Sequence, residues 1–149
     1  MLKTLTGFCI AMILLAGAVD AQQVVRTAQG LVEPMPMQSQ LVVYYFHGNA
    51  RCPSCYKLEQ YAKEALEQNF ADELKSGKIV FKIVNIDKSV NDHFVTDYQL
   101  YTKSIVLSLV KDGKQVRYKN LDKVWDYLRD QKLYHAYVRD EVKPFIGEL

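Results

Sequence analysis

Leu41-Val42-Val43-Tyr44-Tyr45-Phe46-His47-Gly48-Asn49-Ala50-Arg51-Cys52-Pro53-Ser54-Cys55-Tyr56 joins two patterns within one short stretch. Leu41 to Phe46 is a continuous apolar run of strand length, as expected when both faces of a strand are covered. From Tyr56 onward Leu58, Ala62, Ala65 or Leu66, Asn69 or Phe70, and Leu74 recur at helical spacing. Glu59, Lys63, Glu64 and Glu67 fall on the other faces, and Gly77 ends the helix. The stretch therefore predicts a strand, a loop carrying two cysteines, and a helix.

Outward from this unit, Ile79 to Ile86 reads as a second buried strand. The intervening helix makes a right-handed βαβ connection the expectation. Asp87 or Ser89 is placed to cap a short helix through about Tyr98. Ile105 to Val110 is a third strand, and Lys111-Asp112-Gly113-Lys114 turns into Gln115 to Tyr118 with the Asp-Gly pair of a tight hairpin. A final helix is predicted from about Asp122 to Lys143, with Leu121, Trp125, Leu128, Val138 and Val142 as its stripe and Pro144 as its stop. Such a helix spans about 33 Å against about 23 Å for a seven-residue strand. It is expected to overhang the sheet, as a docking surface or simply into solvent. No repeat or low-complexity tract interrupts the order. The predicted class is α/β: a mixed central sheet (βαβ, α, β-hairpin, α) with flanking helices and a long C-terminal helix.

Residues 1–21 read as a cleavable export signal. Lys3 supplies a positive charge, Phe8 to Leu15 is apolar apart from Cys9, and Val19-Asp20-Ala21 fits a small-x-small cleavage site. The apolar stretch is short for a membrane span. Residues 22–39, with Pro34 and Pro36, form a linker or loosely ordered arm, and residues 40–149 one domain. Cleavage leaves Cys52 and Cys55 of the three cysteines, in a periplasmic or secreted setting where a disulfide persists. A net charge of +2 without a basic cluster offers no footprint for nucleic acid.

A Cys-x-x-Cys at a strand-to-helix junction points to thiol–disulfide exchange. Only a thiolate attacks a disulfide, and a sulfur at a helix N-terminus meets unpaired N–H groups and a favourable dipole. Cys52 is the candidate nucleophile, with adjacent Arg51 as a thiolate stabiliser, and Cys55 is the resolving cysteine. A pKa lowered from about 8.5 to about 6.5 raises the thiolate fraction at neutral pH from roughly 3% to roughly 75%. Pro53 suits the first helical position. A static bridge is the weaker reading, since so small a loop yields only roughly 2 kcal/mol of entropic stabilisation. A metal site built on Cys52, Cys55 and His47 is another, short of the four ligands that structural zinc takes. No metal or cofactor beyond the redox-active disulfide is expected. His93 and His135 sit in polar helical contexts and read as surface residues.

With Cys-x-x-Cys after the first long strand, residues 40–145 resemble a thioredoxin fold. Tyr44 to Cys55, together with Tyr98-Gln99-Leu100-Tyr101-Thr102-Lys103-Ser104, is similar to a narrower group. These are small exported thioredoxin-like proteins classed as a subunit of nitrophenyl-compound (nitroaromatic arsonate) reduction systems. The resemblance implies a reductant of a partner protein's disulfide, recharged by a membrane electron-donor protein. A non-catalytic binding or assembly subunit on the same fold is the alternative. Pro53, Ser54, Tyr101, Thr102, Lys103 and Ser104 are the implied partner-binding residues, with Tyr56 beside them.

Three departures from thioredoxins stand out. Arg51 occupies the place of their tryptophan. No proline lies between Pro53 and Pro144, so Thr102, Lys103 or Ser104 takes the cis-proline position, with a trans peptide expected. No Asp or Glu lies between Glu33 and Glu59 to serve as a buried base for Cys55, which leaves His47 or water.

Overall fold

The computed structural model describes residues 39–149. The expected signal (1–21), with Cys9, and the arm, apart from Ser39, lie outside the described residues. Strands β1 (Gln40–His47), β2 (Ile79–Asn85), β3 (Ser104–Lys111) and β4 (Lys114–Asn120) form one sheet in the order β2-β1-β3-β4. β1 pairs parallel with β2, Leu41 opposite Ile79, and antiparallel with β3, Val43 opposite Leu107. β3 and β4 are antiparallel across the Asp112-Gly113 turn, where both residues have positive φ (52° and 72°), as a two-residue hairpin of mirror-image type requires.

Helices α1 (Pro53–Asn69), α2 (Ala71–Lys75), α3 (His93–Asp97) and α4 (Gln131–Ile146) complete the domain. The order βαβ, short helix, hairpin, helix is the one that the thioredoxin resemblance implies, and the class is α/β. On one face of the sheet Leu41, Val43, Tyr45, Ile105, Leu107 and Leu109 pack against Leu58, Ala62 and Leu66 of α1 and Tyr134, Val138 and Val142 of α4. The other face carries Phe46, Val106, Tyr98 and Leu100, with Tyr44 and Phe94 packed on them. Alternation along β1 sends odd residues to the α1/α4 side and even ones to the α3 side, so both faces are apolar and the run is unbroken.

Several expectations need correction. The helix read through to Leu74 breaks at Phe70 (φ −141°, ψ 38°), whose buried ring turns inward and separates α1 from α2. β2 is an edge strand: Lys82 and Ile83 are exposed, because it has a neighbour on one side only. The final helix does not start at Asp122. Residues 122–129 wind into two short 3₁₀ turns that bury Val124 and Leu128, and α4 starts where the Asp130 side chain accepts the Leu133 N–H (3.1 Å). Pro144 lies inside α4, one residue before the buried Phe145. At about 24 Å α4 matches the sheet and does not overhang it. Finally, His135 is not a surface residue: its side chain is 12% exposed, with Nδ1 3.2 Å from Gln68 Oε1 and Nε2 3.5 Å from Glu64.

Candidate active site

Cys52 is the N-cap of α1, in extended backbone (φ −96°, ψ 166°), Pro53 is the first helical residue, and Cys55 sits one turn in. Proline costs nothing here, since the first N–H groups of a helix have no intrahelical partner. Cys52 is exposed, Cys55 is fully buried, and both are free thiols. The two residues cap each other: the Cys52 N–H donates to Cys55 Sγ (3.1 Å) while the Cys55 N–H faces the Cys52 sulfur. No acidic residue lies in the first turn, so nothing opposes negative charge there. The Cys52 thiol is held below its usual range, first by the Cys55 side chain and then by the backbone N–H groups of Cys55, Ser54 and Cys52.

Arg51, the expected stabiliser, has other partners around it. Its guanidinium pairs with Glu59 and lies 4.2 Å from the centre of the Tyr56 ring and 5.7 Å from that of Tyr45. The Tyr45 hydroxyl, behind the motif, donates to the Cys55 carbonyl (2.7 Å), and burial pushes it up to about 12. His47 stacks on Tyr45 with ring centres 5.8 Å apart, and its Nδ1 is 2.9 Å from Gly48 O. Among the described residues no hydrogen bond joins His47 to either sulfur. Nor, among these residues, are three or more Cys, His, Asp or Glu side chains grouped as metal ligands.

Of the implied partner-binding residues, Pro53 and Ser54 are exposed on the first turn of α1, and Tyr101 is 94% exposed. Tyr101, Thr102 and Lys103 line a cavity of about 220 Å³ with His47, Gly48, Ala50 and Asp87. Ser104 is buried and its hydroxyl donates to the Thr102 carbonyl (2.9 Å). The peptides here are trans. Trp125, from the 3₁₀ segment, donates its indole N–H to the Lys103 carbonyl (2.9 Å) and so ties this loop down.

Asp87 caps no helix. Its carboxylate accepts the Asn49 N–H (2.6 Å) and closes the β1–α1 loop onto the end of β2. Tyr45, Glu59, Asp87 and Trp125 were not legible as site residues. Glu59 carries a usable signal, four positions after Cys55 and so on the same helix face. Trp125 carries none, because its partner is brought in by tertiary packing.

No family model matches the chain, and no curated protein matches it. Solved structures that it resembles are thioredoxins. The one from Fasciola hepatica is 19% identical, with 74% of this chain and 89% of that chain covered and a TM-score of 0.36. The one from Trypanosoma brucei brucei is 16% identical over 83% and 86%, TM-score 0.40. A Thermus thermophilus thioredoxin is 19% identical over 64% and 76%, TM-score 0.36. At this degree of likeness the fold assignment rests on the strand order and helix placement described above.

Proposed function

We propose that the chain is a thiol–disulfide oxidoreductase that reduces a disulfide of a partner protein. One observation carries this: an exposed Cys52 sulfur at an open helix N-terminus, its thiol lowered, with Cys55 buried one turn behind it. The Cys52 thiolate attacks one sulfur of the partner disulfide, forms the mixed disulfide and expels the other sulfur as a thiolate. Cys55, as its thiolate, then attacks Cys52 Sγ and releases the second partner sulfur. Two electrons leave the chain, which keeps the Cys52–Cys55 disulfide, and the partner thiolates take up protons.

The export signal and the resemblance to the nitroreductase-associated subunits support a periplasmic or secreted setting and a membrane electron-donor protein that restores the dithiol. Trapping with Cys55→Ser in the exporting cell tests the reading. Partner proteins held in mixed disulfides through Cys52 are the expected result, lost in Cys52→Ser. Recovery of none, with Cys52 alkylated readily, overturns it. A double Cys→Ser variant that binds the partner and supports activity as well as the parent places the chain among assembly subunits instead.

A further inference from the structure

Arg51 adjoins Cys52 in sequence, yet its charge is spent elsewhere. Its partner Glu59 stands one helical turn beyond Cys55, and a helical side chain leans back toward the N-terminus, which brings the carboxylate up to the guanidinium. Both side chains are largely covered, 19% and 23% exposed, so the pair is shielded more than a surface ion pair. The Tyr56 ring covers the guanidinium, and Arg51 Nε is buried with no acceptor among the described residues. A guanidinium offers five donors, so this one has capacity to spare.

The groups around the motif are few. Tyr45 and His47 come from β1, Cys55, Tyr56 and Glu59 from α1, and Lys103 and Asp87 from the loops beside Ala50. Asp87 is taken up by Asn49. Arg51 is thus the nearest cation in sequence to Cys52, and Glu59 is the anion that engages it.

We propose that Glu59 is a positioning residue that withholds the Arg51 guanidinium from the Cys52 sulfur, leaving the thiolate to the Cys55 side chain and the first-turn N–H groups. The inference rests on the thiolate reading of Cys52. Its consequence is redox poise: stabilising a thiolate stabilises the reduced protein and makes the disulfide more oxidising. Holding Arg51 away keeps the dithiol the better electron donor, in keeping with a reductant.

The test titrates Cys52 in the reduced full chain by its alkylation rate against pH, with the redox equilibrium against glutathione as second readout. Glu59→Gln is expected to free Arg51 and lower the Cys52 midpoint by about half to one pH unit, a three- to tenfold gain in thiolate below both midpoints. The glutathione equilibrium moves toward the reduced protein by a similar factor. Arg51→Gln alone leaves the midpoint within about 0.3 unit, and Glu59→Gln added to it has little further effect. An unchanged or raised midpoint in Glu59→Gln overturns the proposal. So does an equal shift in the Arg51→Gln background, which makes Glu59 act by its own charge. A midpoint raised by Arg51→Gln overturns it too, and that readout stands if Glu59→Gln fails to fold. A wild-type midpoint at the ordinary thiol value is a separate result: it defeats the thiolate reading itself.

Discussion

The Tyr45 hydroxyl donates to the Cys55 carbonyl at 2.7 Å from a position on β1 that has no exposure. A second tyrosine does the same from the other side, Tyr134 of α4 donating to the Leu58 carbonyl (3.0 Å). The first turn of α1, which carries Cys55, is therefore held by the sheet, and the turn after it by α4. The motif gains a fixed backbone at its base and keeps an open upper surface.

Tyr45→Phe keeps the ring and deletes this bond. It is expected to cost about 1 kcal/mol in urea unfolding. Burial raises the hydroxyl of Tyr45 to about 12 in the folded protein, so its contribution is present below the unfolded tyrosine value of about 10 and is lost as pH rises through about 12. The parent chain should lose stability across that window, and Tyr45→Phe should lose less. Unfolding curves at stepped alkaline pH check both.

The lowered Cys52 thiol gives an opposite slope at milder pH. An acid depressed in the folded state releases its proton earlier there, so the unfolded chain binds more protons between the lowered midpoint and about 8.5. The reduced protein should become more stable as pH rises through that window, level off above it, and lose the gain on acidification. Melting temperatures of reduced parent and Cys52→Ser across pH 6 to about 9.5 should differ in slope, the variant being flatter.

Trp125→Phe retains the packing but leaves the Lys103 carbonyl without its indole donor. A loss of about 1 kcal/mol is expected. The loop lines the cavity beside Ala50, so reduction of a protein disulfide should slow through a higher KM. Alkylation of Cys52 by a small reagent should not change, because the sulfur and the first turn of α1 are untouched.

Gly48 is needed for close approach. A Cβ there meets Asp87 Oδ2 at 2.8 Å, the oxygen that accepts the Asn49 N–H. Gly48→Ala should displace the carboxylate and cost about 1–2 kcal/mol. Asp87→Ala should cost a similar amount, and the double variant clearly less than the sum, because both remove one interaction. A thermal or urea double-mutant cycle measures the coupling.

Residue type and spacing alone determined the order of strands and helices, the Asp112-Gly113 hairpin, and the placing of Cys52 at a helix start. These follow from local rules: apolar runs, helical periodicity, a proline at the first helical position and a turn that demands positive φ. Tertiary structure decided what depends on neighbours far along the chain. β2 is an edge because β1 and β3 occupy the centre, and residues 122–129 leave the helical pattern because 3₁₀ turns bury Val124 and Leu128. At the site, the sequence placed the sulfurs but did not show which groups Arg51 meets. Nearness to Cys52 along the chain counted for less than the carboxylate of Glu59 and the ring of Tyr56, which the winding of α1 brings onto the guanidinium. A charge acts on what lies nearest in space, and only the folded helix sets that distance.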